Sequence, residues 1–260
     1  MADTATAAPV STLPWRGAVA PLLLLALIEA ALRLFDVHSD GLARPGDVAV
    51  AGAQALGDGS LLKATWQTLG CALAGLAIGA GIGTLMGFWL GLSQTAARLA
   101  LVSIELFRPV PPVALIPVAM LVFGLGWRME IAIVAFTCFW PMLLLTQAAV
   151  REVEPRLLEV ARLLRLSGRD TVKKIVWPAA LPRIVVALRL SLGIALIVAV
   201  TTEIATNPLG LGYVMMRAQQ ELQPATMYAF LVWLALLGWA LNTAVMALYR
   251  RAFARHGAAS

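Results

Sequence analysis

The sequence predicts an all-α integral membrane protein with six transmembrane helices, from its composition, its long apolar segments and the charges of its loops. Hydrophobic residues make up 60% of the 260 residues and charged residues 13%, against about 25% charged in an ordinary soluble domain. So few charges cannot cover a water-facing surface, and most of the surface must therefore lie in lipid. The composition excludes a disordered chain, a coiled coil and a disulfide scaffold. The net charge of +6 is explained by basic cytoplasmic loops, so no nucleic-acid partner is expected.

Six segments are apolar enough to cross a bilayer, which takes about 20 residues of α-helix. The second and third exceed that length, which predicts tilt, extension beyond the membrane or a break. Residues 1–16 are predicted to form a flexible tail that lacks the basic n-region of a signal peptide. Residues 17–250 then form one transmembrane domain, followed by a tail over 251–260. The six predicted spans are 17–35, 65–90, 97–124, 130–150, 184–205 and 226–249.

The loop charges predict the orientation, because cytoplasmic loops carry an excess of Lys and Arg. Residues 151–183 hold eight basic and four acidic side chains, whereas residues 36–64, after the first span, hold four acidic and two basic ones. With six spans, both termini and the 151–183 loop lie on one side of the membrane, which is predicted to be the cytoplasm.

The supply of metal-ligating side chains is small. Cys71 and Cys138 lie inside apolar runs, and His38 and His256 lie outside the predicted spans. Two cysteines in such positions indicate no disulfide framework, and neither a metal site nor a resident cofactor is expected.

Glycines recur at every fourth residue of the second span. This spacing places them in one stripe along the helix, and small residues at that spacing let helices approach closely in lipid. One interpretation is tight packing within the subunit, and the other is a sliding or dimer contact. The stripe consists of Gly75, Gly79, Gly83, Gly87 and Gly91.

The third span contains a proline-rich break. Pro109, Pro111 and Pro112 cannot continue a regular helix because each lacks an N–H donor, and Glu105 and Arg108 precede them. Either the helix starts late, with the charged pair at the cytoplasmic interface, or a broken helix lines a translocation path, where non-helical backbone is tolerated.

Glu203 is a second candidate for the path. It lies near the outer end of the fifth span, where a charge is costly and often functional. We consider it either a gate residue or a hydrogen-bonded structural acid.

The loop over 151–183 is patterned as a helical hairpin. Leu157, Val160, Ala161 and Leu164 share one face at helical spacing. Ser167 with Asp170 predicts a capping box that starts a second short helix, Pro178 is predicted to stop it, and Pro182 suits the first turn of the next span. The hairpin is either an interfacial element resting on anionic lipid or a docking element for a cytoplasmic partner.

The hairpin sequence resembles the EAA loop of ABC-importer permeases. Glu159 and Ala161 align with the Glu and the second Ala of the family's Glu-Ala-Ala, and Val160 replaces the first Ala. Ile175 and Pro178 match in register. Arg165 stands where the family has Gly, which leaves the bend between the two short helices to Ser167 and Gly168. By this resemblance, the residues that couple to the ATPase are Glu159, Ala161, Arg162, Leu164, Arg165, Ser167 and Gly168.

Two further segments extend the resemblance over roughly residues 60–250. Residues 107–126 and 202–213 are similar to the third-span and fifth-span signatures of the nitrate, sulfonate and taurine branch. The resemblance implies a type I ABC importer permease fold with cytoplasmic coupling helices, in a bacterial inner membrane. It also implies three partners: a cytoplasmic ATPase dimer, an external solute-binding protein, and a second permease copy, usually in a homodimer.

The residues themselves agree with a non-enzymatic permease. The chain contains no GxxxxGK[ST] phosphate loop, so ATP would be bound and hydrolysed by a partner. The alternatives are an ion-coupled carrier or channel, which often shows internal repeats with paired broken helices, and a membrane-embedded enzyme. The enzyme would need catalytic groups at depth, whereas no GxSxG elbow, H-E-x-x-H or histidine occurs within a span. The solute is not determined by this sequence.

Overall fold

In a computed structural model, which describes residues 16–35 and 41–253, every regular element is helical. The predicted N-terminal tail and the end of the C-terminal tail lie outside the described residues. The helices are α1 (Arg16–Leu34), α2 (Pro45–Gly57), α3 (Ser60–Leu92), α4 (Gln94–Phe107), α5 (Ile116–Phe123), α6 (Trp127–Arg151), α7 (Pro155–Leu163), α8 (Gly168–Thr171), α9 (Trp177–Ala205), α10 (Gly210–Gln220) and α11 (Pro224–Phe253).

Four helical segments among the described residues are long and apolar enough to cross a membrane. They are α3, α6, the continuous helical segment 168–205 that contains α9, and α11, and a bent pair of helices over 94–123 makes a possible fifth span. The helix α1 covers nearly all of the predicted first span. The all-α architecture is therefore confirmed, and the described residues contain four or five candidate spans, so the number six stays a prediction.

The second predicted span is one unbroken helix. The 33 residues of α3 extend about 50 Å at 1.5 Å per residue, well beyond the roughly 30 Å of a hydrocarbon core. Of the three alternatives, a break is therefore absent from this span, and tilt or extension beyond the membrane accounts for its length.

The third predicted span is broken, as its prolines predict. Two helices, α4 and α5, meet at an angle of 84°, with a 3₁₀ turn over Pro112–Leu115 between them. Two glycines with left-handed backbone, Gly124 (φ 73°) and Gly126 (φ 120°), then turn the chain into α6. Only glycine adopts such angles at little cost, which explains their place at this reversal.

The core is formed by α3, α6 and α9, and small side chains dominate it. Ala72, Ala180, Ala187, Ala195 and Ala199 are fully buried there. Because alanine and glycine add little bulk, the helix backbones lie close together, as is common in membrane bundles.

The five glycines of the stripe all lie against α6. A Cβ added at Gly75 or Gly91 would overlap a valine side chain, and one at Gly79, Gly83 or Gly87 would overlap a backbone carbonyl of α6. The structure therefore places the stripe at a contact within the subunit, which is the first of the two interpretations.

The second short helix of the hairpin does not stop at Pro178, so that prediction was wrong. Helical backbone continues from α8 through a π turn over Val172–Val176 into α9, and Pro182 lies inside α9. In the π turn, the Trp177 N–H donates to the Val172 carbonyl five residues back. This local change of hydrogen-bond register lets the helix pass a residue that cannot donate.

Two helices outside the predicted spans pack at the end of the bundle that holds the α2–α3 turn. Ala55 of α2, Leu211 of α10 and Phe230 of α11 share a small core with the first turns of α3. Glu29 of α1 accepts a hydrogen bond from the Gly46 N–H of α2 (2.9 Å), so this acidic residue joins two helices.

Candidate functional site: the hairpin and a buried polar network

The hairpin presents exposed apolar side chains to its surroundings. Leu163 and Leu164 are 83% and 65% exposed, Leu157 and Val160 are also exposed, and Ala161 is buried. The Glu159 carboxylate is exposed beside them. Exposed leucines at the end of a helix, next to a charged residue, are typical of a surface that a partner covers.

The hairpin is fixed to the bundle at both ends. Val153 and Val176 belong to the main core, and Leu158 packs against it. An ion pair between Glu152 and Arg183 joins the start of the loop to the start of α9. A force on the hairpin is thereby transmitted to α6 and α9.

The bend between α7 and α8 is formed by Arg165, and not by Ser167 and Gly168 as predicted. Arg165 has left-handed backbone (φ 49°). The Leu166 N–H donates to the Ala161 carbonyl (3.0 Å), and the Arg165 N–H donates to the Arg162 carbonyl (3.0 Å). This is a Schellman motif, whose left-handed position is usually glycine. The family's glycine therefore matches the backbone that Arg165 adopts.

Replacement of Arg165 by glycine is expected to stabilise the chain by about 1 kcal/mol, because glycine adopts left-handed angles without the Cβ penalty. The measurement is the free energy of unfolding of the full chain in detergent. The matched control is Arg162→Gly inside α7, where glycine should destabilise by about 1 kcal/mol. A loss of stability in both variants would contradict the left-handed backbone assigned to Arg165.

Ser167 caps the second short helix, as its sequence predicts. Its Oγ accepts from the Asp170 N–H (3.1 Å) and donates to Asp170 Oδ2 (2.8 Å). Gly168 is the first residue of this helix and has ordinary helical backbone.

At the other end of the bundle, Glu203 lies in a buried hydrogen-bond network. The Thr68 hydroxyl donates to Glu203 Oε1 (2.7 Å) and accepts from the Leu211 N–H (2.9 Å). The Gly212 N–H donates to Glu203 Oε2 (2.8 Å). Glu203 is 2% exposed, and these contacts favour a structural acid that joins α3, α9 and α10.

The start of α10 is shaped around this carboxylate. An added Cβ at Gly210 would overlap the Glu203 carboxylate, and one at Gly212 would overlap the Val200 carbonyl. Gly210 also has left-handed backbone (φ 92°), so glycine is required there on two grounds.

A second buried acid, Glu130, extends the network and was missed by the sequence analysis. It is 1% exposed, and Asn207 donates to its Oε2 through Nδ2 (2.5 Å). Asn207 lies two residues after the last residue of α9, and Glu130 lies in the first turn of α6. The sequence did contain a signal for this residue: Glu130 is an acidic residue at the end of a predicted span, and a carboxylate buried at such a position needs hydrogen-bond partners.

Thr68→Val is expected to lower the free energy of unfolding by about 2 kcal/mol, because the change removes one hydrogen bond to a buried acid and leaves the Leu211 N–H unpaired. Thermal unfolding of the full chain in detergent measures the effect. The control is Thr201→Val, whose hydroxyl, among the described residues, donates only to the Ile197 carbonyl of its own helix. Equal effects of the two changes would refute a special role of the network.

Glu105 and Arg108 do not form an ion pair with each other among the residues that the structure describes. Both are exposed, with Glu105 in the last turn of α4 and Arg108 at its end. Pro109 and Pro111 are exposed and Pro112 is partly buried. The break therefore presents charge and non-helical backbone at the surface of the subunit.

These features define a class of protein: a helical membrane protein with a packed three-helix core, a bent pair of helices and an exposed helical hairpin. The chain belongs to the family of binding-protein-dependent transport system inner membrane components, whose model matches residues 79–255.

Individual relatives are transport permeases. The chain is 29% identical over 236 residues to the putative aliphatic sulfonates transport permease protein SsuC of Bacillus subtilis, covering 91% of this chain and 86% of that protein. It is 31% identical over 212 residues to the taurine transport system permease protein TauC of Escherichia coli, covering 80% and 76%. The fold matches a chain of the inward-facing MetNI methionine ABC transporter, with TM-score 0.67, 21% identity and coverage of 74% and 95%.

Proposed function

We propose that this permease is one subunit of an ATP-driven importer, and that it passes a small anion of the sulfonate, taurine or nitrate type from an external binding protein into the cytoplasm. The observation that carries the proposal is the hairpin, whose exposed leucines and Glu159 form a docking surface fixed to α6 and α9. The names of the sulfonate and taurine relatives support this class of solute.

The proposed assembly contains two copies of the chain, a cytoplasmic ATPase dimer and a binding protein. In this assembly α1 is the first of six spans and the bent pair α4–α5 is the third. Both termini and the hairpin lie in the cytoplasm of a bacterial inner membrane. The excess of basic residues over 151–183 supports this orientation.

The translocation path is proposed to run beside the break between α4 and α5. Carbonyls freed by the prolines need protein or water partners, and Arg108 supplies a positive charge that attracts an anion. The burial of Glu203 supports a structural role at one end of α9 more than a gate.

A charge exchange tests the role of Arg108. Because Glu105 and Arg108 form no ion pair, we expect Glu105→Arg combined with Arg108→Glu to leave uptake as low as Arg108→Glu alone. The measurement is solute uptake, with assembly and ATPase binding as controls. Recovery of uptake in the double variant would show that the two residues act as a structural pair.

The importer itself is tested in proteoliposomes that contain the chain with its ATPase and binding protein. ATP-dependent uptake of radiolabelled taurine, an alkanesulfonate or nitrate is expected, and it should persist when a protonophore collapses the ion gradients. Uptake that needs a gradient and no ATP would favour the ion-coupled carrier.

A further inference from the structure

A polar cavity lies where α3 ends, α4 begins and α6 ends, beside the hairpin. Its volume is about 640 Å³. Gln94 and Arg98 of α4 and Gln147 and Arg151 of α6 supply its polar side chains, while Leu101 and Leu158 belong to its apolar wall.

The charge of the cavity is not compensated. None of the described residues that line it is acidic. Within the described ranges Arg98 has no hydrogen-bond or ion-pair partner, and Arg151 makes one long bond, from Nη2 to the Leu90 carbonyl (3.4 Å). The acids nearest in sequence to Arg151 are engaged elsewhere, since Glu152 pairs with Arg183 and Glu154 with Arg156. The acid nearest in sequence to Arg98 is Glu105, which lies about two turns along α4 and does not line the cavity.

These donors suit one class of ligand. Two guanidinium groups from different helices can each form paired hydrogen bonds to a phosphate or a similar oxyanion, and the two side-chain amides add further donors. We propose that the cavity binds a tetrahedral oxyanion of the phosphate or sulfonate class. The ligand comes either from the head group of an anionic phospholipid in the cytoplasmic leaflet or from a free oxyanion in the cytoplasm. The membrane location rests on the proposed orientation, whereas binding itself does not.

The test uses the full chain, purified and stripped of lipid. One arm adds phosphatidylglycerol or phosphatidylcholine and counts bound lipids by native mass spectrometry. The other arm compares thermal unfolding in sodium sulfate and in sodium chloride at equal ionic strength. The variants are Arg98→Gln and Arg151→Gln. The control is Arg128→Gln, which removes an exposed arginine that stacks on Trp127 at 5.2 Å, away from the cavity.

Each cavity variant is expected to weaken binding about fivefold, with Arg128→Gln unchanged. A preference for phosphatidylglycerol identifies a lipid site, and a sulfate-specific stabilisation identifies a site for free oxyanions. The proposal is overturned if neither arm shows a preference in the natural chain, or if Arg98→Gln binds as well as Arg128→Gln. The Arg98→Gln variant alone suffices to decide, because Arg98 has no partner among the described residues whose loss would destabilise the fold. Neither arm needs the ATPase or transport, so failure here and failure of the importer assignment are distinguishable.

Discussion

Replacement of Gly83 by leucine is expected to prevent α3 from packing on α6. An ideal Cβ at Gly83 would lie 2.6 Å from the Phe139 carbonyl oxygen and 2.9 Å from Met142 Cβ. The carbonyl belongs to the backbone of α6, so it can yield only if the whole helix moves. Leucine adds three further carbons at this point, and the cost is about 3 kcal/mol or more. The measurement is the yield of monodisperse protein after detergent extraction.

The matched control is Gly81→Leu on the same helix. A Cβ at Gly81 meets no atom within 4 Å. Gly81→Leu therefore changes the composition and the helix propensity as much as Gly83→Leu does, but without a clash. Near-normal yield of Gly81→Leu beside loss of Gly83→Leu would locate the effect at the contact. Equal yields would show that α3 and α6 do not pack as described.

Features that repeat along one helix were predictable from the sequence. The glycine stripe follows from a four-residue spacing, and the break of the third span follows from three prolines within four positions, since both express the geometry of a single helix. The helix on which the stripe packs was not predictable, because the spacing of the glycines does not identify the opposing helix.

Features that join distant parts of the chain were not predictable. Thr68 and Glu203 are 135 residues apart, and Glu130 and Asn207 are 77 apart, so no local pattern links them.

Two local features were also predicted wrongly. Pro178 does not stop the helix, because the rule that proline stops a helix assumes a regular hydrogen-bond register, which the π turn replaces. The Arg165 bend was missed because arginine rarely adopts left-handed backbone, although the resemblance placed glycine there.

Replacement of Glu159 by lysine is expected to abolish the coupling to the ATPase that we propose for the hairpin. The carboxylate is exposed beside Leu157 and Val160. It makes no hydrogen bond or ion pair with the described residues, so the chain should fold normally. In a docked complex, the same change would place a positive charge where the partner surface accommodates a negative one. Such a reversal costs several kcal/mol, enough to lower ATP-driven uptake by more than about tenfold.

A second charge reversal separates coupling from a general effect of charge. Glu221→Lys, at the end of α10, removes an exposed ion pair with Arg217 (2.7 Å), and surface pairs of this kind contribute little to stability. We expect Glu221→Lys to keep both uptake and ATPase binding, and Glu159→Lys to lose uptake while its yield in the membrane stays normal. If the ATPase still binds the Glu159 variant but its hydrolysis no longer responds to loaded binding protein, the hairpin transmits the signal as well as holding the partner. Normal uptake by Glu159→Lys would instead remove Glu159 from the docking surface and leave the exposed leucines alone to support it.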